Sequence, residues 1–363
     1  MKRRTVLLAA GIGAGSMLGA GTAEAAVRTI DRVGLNLDIA RRYWSPASII
    51  TLIKLVADKG GNSLHLHASD DQAYGLESAL LGQTVAKAQL VGTKYTNPRT
   101  GKGFLSRAQL ASVIAYAATR RVDVMIEIDT PGHAGGIRRL MDLTPIARFP
   151  TSQVFSNYAP KEIEVHSSTA WAFVRELWAE VLAMHPTATR VHLGGDEFAG
   201  SAVEKKAWAT GVSALAAALR TKNNVTSTVW NDSIIPESAA LLSRSITVAY
   251  WDYDDWGAAG TRLTMPAVAS AGFTIHNYNG YYLYWVPRTY ETVGDRQWMC
   301  DALRDWWTLG YWGADRAMSE TNTKLRGACF SIWGEESASL SEATIISRGS
   351  PIYSAFASKV RAI

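Results

Sequence analysis

Asp196 and Glu197 are the residues best placed to do chemistry in this chain. They follow Arg190-Val191-His192-Leu193-Gly194-Gly195, a short apolar run that ends in two glycines. Val191 and Leu193 alternate with polar neighbours, the period of a strand. The glycines permit a sharp turn, or a close approach to something bound above the strand end. In continued strand geometry the two carboxylates would point to opposite faces. They would then not flank a glycosidic bond as acid and nucleophile, a pair that needs convergent carboxyls roughly 5 Å or more apart. A turn at the glycines instead lets both face one ligand from the same side. A solvated acidic turn is the plain alternative.

The elements that must position this pair alternate along the chain. Strand patterns cover Val33–Ile39, Ser63–His67, Asp123–Ile128, Arg190–Gly194, Thr226–Trp230, Ile246–Trp251, Thr274–Tyr278 and Gly327–Trp333. Between them lie helical patterns. One is capped by Ser45, with Pro46 in its first turn and Gly60-Gly61 closing it. Another begins at Ser106, with Gln109 three residues on, and reaches Arg121. Further helices are expected over Ser168–His185, Ala202–Arg220, Met265–Ala271 and Tyr353–Ala362. Eight strands with helical matter between most of them predict an α/β fold, a (β/α)₈ TIM barrel. Residues 26–363 carry no low-complexity run or linker, so one catalytic domain is expected there.

The expected strand ends collect polar and aromatic residues: Asp38 and Arg41; His67 and Asp70; Glu127, Asp129 and His133; Asp196 and Glu197; Trp230, Asn231 and Asp232; Trp251; Asn277, Asn279 and Tyr284; Trp333 and Glu335. Barrel chemistry sits on that face. Each residue alone is read equally well as a helix cap or a mouth salt bridge; eight ends in a row are not. Most of the 13 tryptophans must pack the core or the rim. Trp230, Trp251 and Trp333 differ because each closes a strand. Flat aromatic walls beside carboxylates, Arg41 and asparagines match the apolar faces and hydroxyls of a sugar.

His65-Leu66-His67 is similar to the paired histidines of metal-dependent hydrolase barrels. A full site needs further ligands at later strand ends. His192 and His276 lie inside strands, His166 and His185 in or beside a helix, and His133 in a loop. The expectation is therefore a core histidine bonded to backbone.

Residues 1–25 read as an export signal of twin-arginine type. Arg3-Arg4 precedes a glycine-diluted apolar run, and Ala23-Glu24-Ala25 offers a cleavage site. The run is too short and too glycine-rich to span a bilayer well. Removing it takes three of 37 basic and one of 32 acidic residues, leaving a net charge of +3. So weak a balance makes nucleic acid a poor partner. With two cysteines, Cys300 and Cys329, the chain has no disulfide framework. Cys329 sits in an apolar run where a buried free thiol is expected.

Four motifs, His192-Leu193-Gly194-Gly195-Asp196-Glu197, Glu127-Ile128-Asp129-Thr130-Pro131-Gly132-His133, Leu37-Asp38-Ile39-Ala40-Arg41 and Trp333-Gly334-Glu335, resemble those of family 20 glycoside hydrolases, the β-N-acetylhexosaminidases. The resemblance runs from about Val33 to about Leu340. Gly60–His67 and Asn277–Tyr284 resemble the dispersin-type members most. Like them, the chain has no room for an extra domain before Arg41.

The resemblance accounts for the adjacent acids. It implies a retaining mechanism in which the substrate's own 2-acetamido oxygen is the nucleophile and an oxazolinium ion the intermediate, an exception to the two-carboxylate scheme. Glu197 is then the general acid and later the base. Asp196 orients the acetamido group, and Tyr284 donates to its oxygen. Trp230, Trp251 and Trp333 enclose the sugar, while Arg41 and Glu335 hold its hydroxyls. His133, backed by Asp70, tunes Glu197, whose task needs a pKa near the working pH. No metal or organic cofactor is implied.

The implied partner is an N-acetylglucosamine-containing glycan: β-1,6-linked poly-N-acetylglucosamine of biofilm matrices by the dispersin likeness, with chitin or cell-wall oligosaccharides as the alternative. A barrel that binds sugar without cleaving it is a third reading, against which the chain keeps Asp196, Glu197 and Tyr284 together. Dispersin-type enzymes carry a tyrosine three residues past the catalytic glutamate, where this chain has Gly200. The loop after Trp251 is shorter than theirs, and none of Asp252, Asp254 or Asp255 is given a role.

Overall fold

A computed structural model of the chain describes residues 29–252, 262–313 and 315–363. The expected export signal lies outside them, as do Asp254 and Asp255. Eight parallel strands form a closed ring: β1 (Arg32–Asp38), β2 (Ser63–His67), β3 (Asp123–Glu127), β4 (Arg190–His192), β5 (Thr226–Trp230), β6 (Thr247–Tyr250), β7 (Thr274–Asn277) and β8 (Leu325–Ile332). β1 pairs with β8 from Arg32↔Gly327 to Leu37↔Ile332 and closes the barrel.

The period-2 alternation of the strands sorts the interior into two layers. Leu35, Leu37, Leu64, Leu66, Val124, Ile126, Val191 and Val229 face outward and join one large core with the helices. Their neighbours Asn36, His65, Glu127, His192 and Trp230 are equally buried but face the barrel axis. The axis is thus polar and aromatic from the start, which a fully apolar strand could not provide.

The helices follow from their caps and stripes. Ser45 accepts a hydrogen bond from the Ser48 N–H and starts α1 (Pro46–Asp58), which buries Ile49, Leu52, Ile53 and Val56 at helical spacing. Ser106 and Gln109 form a reciprocal capping box at α2 (Arg107–Thr119). The remaining principal helices are α3 (Ser168–Met184), α4 (Ala202–Asn223), α5 (Met265–Ser270), α6 (Val293–Asp305) and α7 (Glu342–Arg361).

α7 begins eleven residues before the expected Tyr353. Gly349 and Pro351 read as breakers, yet both lie inside the helix. Gly349 is required there, because a Cβ would stand 2.5 Å from the Trp285 ring. Among the elements that escaped the sequence reading are a small antiparallel sheet of Gln89–Val91, Lys94–Thr96 and Gly103–Phe104, the helix Gly135–Leu143, and α6. No helix of the described residues is long and apolar enough to cross a membrane. Cys300 and Cys329 are both buried and free, as expected for Cys329.

β7 pairs with β8 only through the early part of β8, from Leu325 to Ala328. Farther up, Tyr284↔Ser331 and Trp285↔Ile332 pair in parallel, so a two-residue strand is wedged between the upper ends of β7 and β8. This wedge delivers Tyr284 to the barrel mouth.

Candidate active site

β4 ends at His192, two residues before the expected Gly194, and the chain turns at once. Gly194 and Gly195 have φ of 76° and 108°. At Gly194 a side chain is also excluded sterically, since a Cβ would lie 2.1 Å from Asp129 Oδ1. The turn does what strand geometry could not: Asp196 and Glu197 line the same cavity. Glu197 itself sits at φ 47°, and His133, which faces it, at φ 51°. The two other non-glycine residues with positive φ among the described residues, Arg121 and Asn224, simply follow α2 and α4. Backbone strain held away from helix ends is thus concentrated in the facing pair.

The cavity, about 250 Å³, is lined by Arg41, His133, Asp196, Glu197, Trp251, Tyr284, Trp333 and Glu335, together with Gly280 and Val286. Eight of the ten residues singled out from the sequence therefore meet in one place. The other two lie one layer deeper. Asp70 is buried and accepts from Arg41 Nη2 at 2.6 Å, with His133 Nδ1 at 3.9 Å. Trp230 does not wall the cavity, contrary to expectation. It is the last residue of β5, so the strand pleat turns it down the barrel axis, where its Nε1–H donates to Glu127 Oε1 at 2.6 Å. There it backs Trp333, with ring centroids 6.4 Å apart.

Beneath the floor, Glu127 collects the histidines of the neighbouring strands. Its carboxylate lies 3.1 Å from His65 Nε2, 2.5 Å from His67 Nδ1 and 3.1 Å from His192 Nδ1. The expected backbone partner of His65 or His67 is therefore a carboxylate. The registers His67↔Glu127 and Glu127↔His192 put these side chains on adjacent inward positions. Burial alone would deprotonate His67, but Glu127 and Asp70 outweigh it and raise its pKa. Burial instead carries His65 down to about 3. The network continues upward from His67 Nε2 to Asp70 Oδ2 at 3.1 Å, and from Asp70 to Arg41 and His133.

His133 Nε2 stands 3.3 Å from Glu197 Oε2 and 3.7 Å from Asp196 Oδ2. Burial lowers its pKa, yet Asp196, Glu197 and Asp70 together bring it up to about 9. The reciprocal effect falls on Glu197: the hydrogen bond with His133 holds its carboxyl below the usual range. The resting pair is therefore imidazolium and carboxylate, opposite to the raised acid expected from the sequence. Its physical cause is the hydrogen bond and charge of His133, against which the burial of a side chain still 49% exposed raises the carboxyl too little. Water solvates the carboxylate while the histidine is enclosed among acids.

Two residues outside the sequence-derived set hold the acids in place. Asp129 Oδ1 accepts from the Gly195 N–H at 3.2 Å. Its Oδ2 and Asp196 Oδ1 are both buried without another donor, and the two carboxyls lie within 4.8 Å. Burial, then Asp196, lifts the Asp129 pKa well above the ordinary range, so one proton held by Asp129 satisfies both oxygens. Asp232 accepts from the Glu197 N–H at 2.7 Å and from Trp251 Nε1 at 3.2 Å. Burial, with Asp196 nearby, raises it to about 7. The signal available beforehand was position alone, since Asp129 and Asp232 both follow strand ends.

Aromatic rings complete the wall. Trp251 stacks on Tyr284 at 6.0 Å with 12° between planes, and Trp333 meets Tyr284 edge-on at 5.2 Å. Arg41 lies over Trp333 at 5.2 Å and pairs with Glu335 at 3.6 Å. Gly200 lines a separate open cavity of about 300 Å³ with Ser201, Lys205 and Glu237.

The model of the glycosyl hydrolase family 20 catalytic domain matches residues 33–350. Among solved structures, dispersin B superposes with a TM-score of 0.84 at 31% identity, covering 91% of this chain and 99% of its own. A β-N-acetylhexosaminidase of Cellulomonas fimi is 30% identical over 222 residues, 60% of this chain and 42% of the relative. N,N'-diacetylchitobiase of Vibrio harveyi is 29% identical over 207 residues, 46% and 23% respectively. The chain thus spans less than half the length of these two relatives. The matched segment contains all eight strands save Arg32 and every residue of the cavity, and the chain belongs to glycosyl hydrolase family 20.

Proposed function

We propose that this protein is a retaining β-N-acetylhexosaminidase that works by substrate-assisted catalysis. The observation that carries the reading is the distribution of carboxylates around one cavity. Asp196 and Glu197 reach it from consecutive residues and share His133. The other lining carboxylate, Glu335, is matched by Arg41. No second carboxylate among the described residues stands opposite the acid as a nucleophile, so the nucleophile is the substrate's acetamido oxygen. The names of the family relatives above support the same substrate class.

In this reading, Arg41 and Glu335 hold the terminal sugar's hydroxyls against Trp333. Tyr284 donates to the acetamido oxygen, and Asp196, kept oriented by the proton on Asp129, accepts from the acetamido N–H. As that oxygen attacks the anomeric carbon, the glycosidic bond breaks and its oxygen takes a proton from Glu197. The proton comes from His133: the imidazolium–carboxylate pair and the neutral pair differ by one proton moved across 3.3 Å. Sugar covering Glu197 removes the water that favours its ionised form and drives that transfer. Glu197 then deprotonates the water that opens the oxazolinium ring, with retention.

The dispersin likeness supports β-1,6-linked poly-N-acetylglucosamine as the polymer, and residues 1–25 support export through a twin-arginine-type signal. Release of nitrophenol from an aryl N-acetyl-β-glucosaminide, with inhibition by a thiazoline mimic of the intermediate, tests the chemistry. A covalent sugar ester trapped on Asp196 or Glu197 would refute it. Faster cleavage of chitobiose than of its β-1,6 isomer at matched concentration would remove the polymer assignment and leave a general hexosaminidase.

A further inference from the structure

Beside the pocket, the segment between β7 and β8 forms a second depression of about 530 Å³, roughly twice the pocket's volume. Gly280, Tyr284 and Val286 line both, so a single rim of three residues separates them. The residue after Gly280 opens a row of aromatic rings. Tyr281 meets Trp298 edge-on with centroids 6.4 Å apart, and Trp298 meets Trp306 at 6.2 Å. The three are 40%, 43% and 52% exposed. Single exposed aromatics are ordinary; a contiguous row that begins at the lip of a binding pocket marks a contact surface.

The charges say what kind of ligand fits. Arg288 is paired with Glu336 at 3.0 Å, and Arg296 with Glu291 at 3.3 Å. Asp295 closes the cap of α6 with Thr292. A nucleic acid strand stacks on aromatics too, but it requires a lane of cations that this surface spends on its own carboxylates. Flat rings among neutralised charges suit a neutral saccharide.

We propose that Tyr281, Trp298 and Trp306 form a track that holds a neutral, β-linked N-acetylglucosamine chain beside the pocket, keeping polymer bound between cleavages. This rests on the hexosaminidase reading of the pocket for the identity of the sugar. The track acts on long substrates alone, since a single-sugar glycoside fills the pocket without crossing the rim.

The test compares the full chain with a Trp298→Ala/Trp306→Ala variant and a Trp298→Tyr/Trp306→Tyr variant. On nitrophenyl N-acetyl-β-glucosaminide the alanine variant should keep kcat and KM within about twofold, as both rings lie outside the pocket. On soluble poly-β-1,6-N-acetylglucosamine its KM should rise roughly tenfold, the loss of two stacked rings. Retardation in a gel carrying that polymer should disappear, and the tyrosine variant should retain most of it. Unchanged polymer KM and retardation would overturn the track, as would equal losses on both substrates. A wild-type dimer that the alanine variant dissociates, with polymer binding intact, would assign the row to contact between copies and also overturn it. If the wild type fails on the glucosaminide yet is retarded by polymer, and the alanine variant is not, the catalytic reading fails and the track stands.

Discussion

Strands β1–β4 end in Arg41, Asp70, His133, Asp196 and Glu197, side chains joined to one another by ion pairs. Strands β5–β8 and the wedge between the last two end in Trp230, Trp251, Tyr284 and Trp333, joined by ring contacts. In the first half each group sets the proton state of the next, so a change at one member is felt along the row. In the second half rings contribute shape and a few fixed donors, and their energies are nearly independent. Damage to the ionic half should therefore appear in kcat and its pH dependence, and damage to the aromatic half in KM.

The largest effect should come from the ionic half. Glu197→Gln should lower kcat on oligosaccharides by about 10²–10⁴-fold, the usual worth of general acid–base catalysis. A glycoside with a strongly acidic leaving group should lose less in its first step. Near-normal turnover on oligosaccharides would remove Glu197 from the role.

Tyr284 is where the partition is most exposed to failure, because it stands among rings yet is assigned a hydrogen bond made in the transition state. Tyr284→Phe should cost about a hundredfold in kcat with KM little changed. A rise in KM alone would return Tyr284 to the wall.

His133 should give a pH signature. Its folded pKa of about 9 exceeds the ordinary 6.5, so its contribution to stability is complete below about pH 6.5 and fades as pH rises through 9. That contribution is up to about 3 kcal/mol. The gap in Tm between wild type and His133→Asn should narrow steadily from pH 6.5 to 10. The basic limb of kcat/KM should fall near the same value, where the stored proton is lost. A gap that widens with pH would mean that His133 is neutral in the folded protein.

Asp129 sharpens the comparison by separating charge from hydrogen bonding. Asn at this position can accept from Gly195 and donate to Asp196, as the protonated acid does, so Asp129→Asn should retain activity within a few fold. Asp129→Ala strands both partners and should cost about 1–3 kcal/mol of stability, with a larger loss of kcat. Equal damage from both would show that Asp129 works as an anion. At the small end, Trp251→Phe should raise KM by roughly threefold to tenfold with kcat nearly unchanged, the scale of one aromatic contact.

Local signals carried much of this architecture. β2 and β5 have the bounds read from the sequence, because Gly60-Gly61 and Asn223-Asn224 punctuate their starts. α1 and α2 follow from Ser45 and Ser106, whose side chains cap them as expected. The pocket itself was legible where a residue lies just past a strand, as with His133, Trp251 and Glu335.

What escaped depends on partners far away in the chain. The burial of Trp230 follows from Glu127, 103 residues earlier, and the length of α7 from the ring of Trp285 against Gly349. The proton states of Glu197 and Asp129 depend on how much water reaches each carboxylate, which spacing does not encode. α6 was obscured by Gly294 in its first turn and by a mostly polar run without a clear apolar stripe, although Thr292 and Asp295 form an ordinary capping box.

The wedge of Tyr284 and Trp285 has a geometric consequence. Along β8 the neighbour changes part-way up: β7 accompanies it as far as Ala328, and Tyr284 and Trp285 take over at Ser331 and Ile332. The interior of an eight-stranded barrel is just wide enough to be filled by side chains or to hold one small ligand. Here the layer of Glu127 and its histidines fills it, and the cavity lies above that layer with Tyr284 on its wall. The floor can remain tightly packed while the mouth holds a ring, and one wall of that mouth hangs on a two-residue strand whose Trp285 is braced on Gly349 of α7.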